Sequence, residues 1–339
     1  MKSRLFKAAA ILAAAFSTSA FAADIVDNFA FKGNIQTQGV ANNQDNWFES
    51  FWFRANIGGM YKSEDFDAQI MIRMFGPNFG NSIDGKNYDK VLADLYWANY
   101  KYRLGDHAFN LKLGHWKTDW SNSGNFGTYV DPALNRRGMM MRDYSHDAFE
   151  LGWNFGPSAF KAMAATTDGK FNTGYVRVEE RLKFEFPLEL AAAYRVNAFD
   201  AFNQAATQTH RVAGYASYSF IPKLRLYGEV AYITTTEDDD VNAATIQAGD
   251  AIKPEYAQGS DYLPFYAGIE IPTAGFLDNL MFEIEYIKDR DELNAGADEF
   301  AWTVAFVKTY GRTKAQLNIF SEKEMNDIAA ALRFTTTIK

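Results

Sequence analysis

The strongest constraint on the fold is a period of two that runs from one end of the chain to the other. In Phe66-Asp67-Ala68-Gln69-Ile70-Met71-Ile72-Arg73 every even position is apolar, and the odd positions are mostly polar. Leu280, Phe282, Ile284 and Tyr286 share one parity, with Glu283 and Glu285 on the other; Ile328, Ala330, Leu332 and Phe334 alternate with Ala329, Ala331 and Arg333. Successive side chains of a strand point to opposite faces, so these segments are predicted as strands with one apolar and one polar side.

The punctuation between the strands alternates too. Tight connections are predicted at Lys62 to Asp65, Gly105 to His107, Gly156 to Ser158, Phe186-Pro187, Ile221 to Lys223, Pro272 to Asn279 and Gly311-Arg312. Between them lie other, usually longer polar connections: Gly39 to Asn46, Gly76 to Lys90, Lys117 to Asp147, Thr167 to Thr173, Phe199 to Gln208, Thr234 to Tyr262, Asp289 to Asp298 and Glu322 to Asn326. Short turns at one end and longer loops at the other are the plan of an antiparallel up-and-down barrel that crosses an outer membrane. Segment counting predicts about sixteen strands, from near Asn28 to near Ile338, with about fourteen if a weak pair merges. An even count leaves both ends of the chain on the periplasmic, short-turn side.

Composition separates this reading from a soluble β-sandwich, whose strands also alternate. The chain has 29 Phe, 18 Tyr and 7 Trp at a mean hydropathy of −0.29. A sandwich would have to bury the Phe, Leu, Ile, Val, Tyr and Trp of one face in strand after strand, whereas a barrel turns that face to lipid and keeps the other wet. There is no cysteine, so closure has to come from ladder hydrogen bonds rather than disulfides. Tyr194, Tyr218, Tyr232, Tyr286 and Tyr310 fall near strand ends, where amphipathic rings suit lipid headgroups, although β-propensity alone also favours Tyr.

The N-terminus carries a processing signal: basic Lys2, Arg4 and Lys7, an apolar stretch from Ala8 to Phe16, and Ala20-Phe21-Ala22 as an A-x-A site. Residues 1–22 are expected to be cleaved for export, leaving 23–339 as one barrel domain. Beyond that point no stretch approaches the about 18 apolar residues of a membrane-crossing helix.

With the apolar face toward lipid, parity turns Lys32, Arg54, Arg73, Lys112, Lys161, Arg177, Arg181, Lys183, Arg195, Arg211, Arg225, Lys314 and Arg333 into the bore. Asp67, Glu150, Glu179, Glu189, Glu229, Glu270, Glu283 and Glu285 join them. The inner wall is therefore more basic than the whole chain, whose net charge is −8 and whose acidity concentrates in loops such as Glu237 to Asp240. Two readings stay open: a mild preference for anions, or charges of both signs that pair across the bore and keep it wetted. Arg177, Arg181 and Lys183 share a face of one strand, interrupted by Glu179, while Glu180 falls on the lipid side against the pattern.

The connection from Lys117 to Asp147, the third on the long-loop side, exceeds the about 12–15 residues beyond which structureless loops are usually functional or disordered. It holds Trp120, Phe126, Tyr129 and Met139 to Met141, which favour shelter inside the barrel, and that placement would bring Arg136, Arg137 and Arg142 to the solute path. The alternative is a loop packed over a neighbouring subunit or the rim.

The whole plan resembles the sixteen-stranded porins of Gram-negative outer membranes. More narrowly, Leu111-Lys112-Leu113-Gly114-His115-Trp116-Lys117 resembles the L-x-x-G-x-[FW]-K stretch of the phosphate-selective porin O and P family, likewise placed before a long loop. That resemblance implies a trimer of barrels that passes phosphate or other anions, with Lys112 and Lys117 as pore residues. One departure is the end of the chain: many such barrels close on Phe, whereas here Phe334 is followed by Thr335 to Lys339.

No enzyme constellation is present. His107, His115, His146 and His210 show no metal-binding spacing, Ser145-His146-Asp147 is adjacency rather than a triad, and no cofactor motif occurs. The acidic balance and the lack of a basic arm argue against nucleic acid. Three function classes remain: a passive channel for small hydrophilic solutes, a substrate-specific channel in which lumen aromatics such as Trp52, Tyr215 and Tyr227 stack a sugar or other ligand, and a structural or adhesive barrel. Outer-membrane lipid, small solutes and copies of the same chain are the expected partners.

Overall fold

A computed structural model describes residues 28–42, 50–75, 91–118, 145–166, 174–196, 209–222, 224–235, 261–288, 300–321 and 328–338. They form sixteen strands. The first eight are β1 (Phe29–Asn42), β2 (Ser50–Lys62), β3 (Phe66–Phe75), β4 (Val91–Leu104), β5 (His107–Lys117), β6 (Ser145–Phe155), β7 (Ser158–Thr166) and β8 (Gly174–Lys183). The second eight are β9 (Leu188–Val196), β10 (Thr209–Ile221), β11 (Leu224–Thr235), β12 (Asp261–Pro272), β13 (Asn279–Lys288), β14 (Phe300–Tyr310), β15 (Thr313–Ser321) and β16 (Ile328–Ile338). Each strand pairs antiparallel with its sequence neighbours, and β1 pairs with β16 to close the barrel. The predicted strand count and the predicted short turns are therefore those of the fold.

Parity holds around the wall. Leu151, Trp153, Val212, Val230, Phe282 and Leu332 stand 41–51% exposed on the outer face. Arg177, Glu229, Thr303 and Asn318, of the opposite parity, are buried inside. Tyr194, Tyr218, Tyr232 and Tyr310 belong to the exposed outer set, as the girdle reading expects. Glu180 keeps the register of β8 and does face outward; its carboxylate accepts a hydrogen bond from Ser158 Oγ close to the short-turn end of β7 and β8.

Two local features shape the wall. A bulge lets Met71 pair with Leu95 and Ile72 with Ala93, leaving Asp94 as the extra residue, and its carboxylate lies 2.7 Å from Arg73 Nη2. At the short-turn end of β5 and β6, Trp153 Nε1 donates to His107 Nδ1 over 3.0 Å, with the His107 ring stacked on Phe155 at 4.5 Å. That bond keeps the His107 proton on Nε2.

Gly114, the glycine of the motif in β5, has φ +125°. A Cβ there would stand 2.3 Å from the Tyr96 carbonyl oxygen and 2.7 Å from Trp97 Cα, both backbone atoms of the adjacent strand. Gly214 in β10 meets nothing within 4 Å and has no positive φ. Gly114→Ala should therefore cost at least about 1–3 kcal/mol through backbone strain alone and lower the yield of heat-modifiable barrel on refolding into detergent. Gly214→Ala should refold like the parent. Equal refolding of the two variants would contradict the register of β4 against β5.

Candidate functional site: the inner wall of the barrel

The inner wall sorts the predicted pore residues by depth. Arg177, Arg195 and Arg211 are direct cross-strand partners on β8, β9 and β10, and all three are at most 4% exposed. Like charges side by side repel, so this rung needs electron-rich neighbours. Glu179 Oε2 lies 3.1 Å from Arg177 Nε, and the Arg195 guanidinium sits 3.7 Å over the Tyr175 ring. The next rung is Ala193, Ala213 and Ala231, whose small side chains leave room for long ones beside them.

A third acceptor comes from further along the barrel. Arg177 Nη1 donates to the Thr118 carbonyl over 2.6 Å, and Thr118 Oγ1 lies 2.9 Å from the Tyr175 hydroxyl. Thr118 is the first residue beyond β5, yet it bonds the inner face of β8, three strands away. Thr118 thus turns into the barrel. Trp116, also inward, packs with Met163, Ala165 and Tyr175 beneath it.

Other charges are more open to the bore. The Lys161 side chain is 44% exposed, 3.5 Å from Glu179 and 3.9 Å from Glu150, which are only 8–9% exposed. Arg73 is 29% exposed against 10% for Asp94, and Arg225 27% against 19% for Glu270. Arg181 pairs with Glu189 at equal exposure, its guanidinium 5.8 Å from the Tyr215 ring. Lys183 is exposed at the short-turn end of β8.

The acidic arc on β11 to β13 is held by tyrosines. Tyr227 donates to Glu283 over 2.9 Å and Tyr266 to Glu229 over 3.1 Å, and Asn279 Nδ2 donates to Glu270 over 2.6 Å. At and beside the closure seam, amides take the same role toward cations. Arg54 donates to Gln36 Oε1, Arg333 Nε to Gln38 Oε1 over 2.9 Å, and Arg73 Nε to Asn56 Oδ1 over 3.0 Å. Asn56 in turn donates to Asn34 Oδ1 over 2.9 Å.

Lys112 faces inward with its ammonium 4.4 Å from the ring centres of both Trp97 and Trp116. Lys117 and Glu285 lie on β5 and β13, paired with Ser145 and Tyr266; Arg136, Arg137, Arg142 and most of the long connection lie outside the described residues. Trp52 pairs with Gln38 on β1.

Sequence reading passed over the neutral partners: Asn34, Gln36, Gln38, Asn56, Tyr175, Tyr266 and Thr118. Parity alone assigns the strand residues among them to the bore, where the sequence reading names only the charges and the aromatics Trp52, Tyr215 and Tyr227. A further cluster, Tyr96, His115 and Asp147, has outer-face parity; Asp147 Oδ1 lies 2.7 Å from the Tyr96 hydroxyl and 3.1 Å from His115 Nδ1. Among the described residues no group of three or more His, Asp or Glu could hold a metal ion.

The Tyr227 ring lies where a side chain at position 268 would be: a Cβ on Gly268 would come within 2.1 Å of the Tyr227 hydroxyl oxygen. Gly268→Val should displace that ring, strip Glu283 of its hydrogen bond and bare a carboxylate to the bore. The expected outcome is an intact barrel whose reversal potential in a salt gradient moves toward cations. An unchanged potential would mean that Glu283 lies off the ion path.

No family model and no curated protein matches the sequence. Solved structures do match. The chain is similar to Salmonella typhi OmpF, solved in complex with daunomycin, at 13% identity and a TM-score of 0.60 over 91% of this chain and 97% of that one. It is also similar to two engineered variants of the Rh. blastica porin, at 12% and 13% identity and a TM-score of 0.53 each, over 91% of this chain and all of theirs. At that identity the likeness shows the fold: a closed, sixteen-stranded barrel of the porin type.

Proposed function

We propose that the chain is an outer-membrane porin, a passive water-filled path for small hydrophilic solutes with a mild preference for anions. The observation that carries the anion preference is the unequal exposure within the ion pairs of the wall. In the pairs of Lys161, Arg73 and Arg225 the cation reaches further into the bore than its carboxylate. A solute therefore meets more positive than negative surface, although the pairs are close to neutral, and a positive lining raises the local anion concentration.

The connection between β5 and β6 would form the constriction, presenting Arg136, Arg137 and Arg142. The inward course of Thr118 supports that placement. Residues 1–22 would direct export to the outer membrane of a Gram-negative type of bacterium, and the assembly would be a homotrimer. A phosphate-specific role would need Lys112 to meet the solute; its ammonium is engaged by two indoles, so general anion conduction is the better-supported reading.

Single-channel recording in planar bilayers tests this. Ohmic conductance with an anion-leaning reversal potential is expected, shifting toward cations in Lys161→Glu. Arg136→Ala combined with Arg137→Ala should raise conductance or weaken the preference. A cation-leaning parent channel would refute the anion preference, and negligible conductance would point to a structural barrel instead.

A further inference from the structure

Lys112, Gly114 and Trp116 are successive inward positions of β5, and Trp97 of β4 pairs with Gly114. The four share one patch of the inner wall: a lysine and an indole on one strand, with a second indole beside the gap between them. Gly114 puts no side chain into that gap, and none fits, since a Cβ there would stand 2.7 Å from Trp97 Cα. The Lys112 stem can therefore lie along the wall, and its ammonium stands 4.4 Å from the centre of each indole ring.

The rings are anchored. Trp116 is buried with Met163, Ala165 and Tyr175, and the half-buried Trp97 packs against the same cluster. Ring faces attract an ammonium without cancelling its charge, and more strongly where it is desolvated. Carboxylates do not compete for it. Glu150 is the cross-strand partner of Lys112, but its carboxylate lies 3.9 Å from Lys161 Nζ, and Lys112 makes no ion pair among the described residues. Lys161 is held differently: its partners are the carboxylates of Glu150 and Glu179, and its side chain is 44% exposed to the bore. The two lysines are close enough to repel each other.

Two neighbouring cations that close on one solute would chelate a divalent oxyanion and slow its passage, whereas conduction needs binding weak enough for release. We infer that Trp97 and Trp116 are specificity-determining residues: they clasp the Lys112 ammonium against the wall, so that it adds positive field to the bore without joining Lys161 on a solute. Trp97, the more open half of the clasp, is the residue whose loss converts a general anion path into an oxyanion-binding one. This rests on the anion-conducting reading proposed above.

Chloride currents of the full chain in planar bilayers, recorded as sodium sulfate is added, test the clasp. The parent should show no sulfate block. Trp97→Leu should lose chloride current several-fold in millimolar sulfate, and combining it with Lys112→Gln should abolish that block. Trp97→Phe, which keeps a ring face, should behave as the parent. Barrel formation is checked by heat-modifiable migration, and Trp97→Gln takes the place of Trp97→Leu if the latter does not refold. A parent block that vanishes in Lys112→Gln would overturn the clasp, because Lys112 would then already meet the solute. So would an anion-leaning Trp97→Leu channel indifferent to sulfate, or a block in it that survives Lys112→Gln. A cation-leaning parent would instead refute the conduction reading, whatever sulfate does.

Discussion

Everything in this fold depends on one requirement: no backbone N–H or C=O of the wall that is shut off from water can stay without a partner. A strand satisfies half of its groups on each side, so the array is complete only when the last strand meets the first. The pairing of β1 with β16 runs from Gly33 opposite Ile338 to Asn42 opposite Ala329, as long a ladder as most of the others. The seam is reinforced in the bore, where Gln36 and Gln38 bond Thr335 and Arg333 across it. Backbone closure leaves the barrel without an open edge; side chains on the inner face add the specificity of register that a smooth outer face cannot supply.

The two faces carry different demands. Outside, size and apolarity suffice, and Leu, Val, Phe and Trp interchange along the wall. Inside, each charge is taken from bulk water and must be paired or oriented. The protein does this with neighbours of three kinds: carboxylates for Lys161, Arg73, Arg225 and Arg181, amide oxygens for Arg54 and Arg333, and ring faces for Lys112 and Arg195. Amide and ring partners orient a cation without cancelling its charge. A wall built partly in this way stays electrically positive while its side chains are fixed.

The sequence made the barrel legible because its physics is periodic. Alternation assigns a face to every strand residue, and the spacing of Gly, Pro and Asp clusters assigns an end to every connection. Even Glu180, which broke the pattern, reported its position truthfully. The site was legible only as a set of inward charges and a few inward aromatics, Tyr215 and Tyr227 among them. Depth was not, since exposure depends on what crosses the lumen: Arg177 and Lys161 are equivalent by parity, yet one is buried and the other open. Nor was the direction of Thr118, because a residue beyond the last strand pair has no parity to read.

The arginine rung and the inward course of the chain after β5 are best understood together. Three guanidinium groups on adjacent strands repel one another, and a mobile aqueous ion would screen them only while bound. A carbonyl from Thr118 and a ring from Tyr175 supply permanent partial negative charge at the same place. The repulsion that the rung would otherwise exert on β8, β9 and β10 becomes attraction for Thr118, so the wall and the residue that follows β5 stabilise each other. Removing either alone leaves the other strained, which is why charge on this part of the wall is better read as an attachment for Thr118 than as lining for a solute.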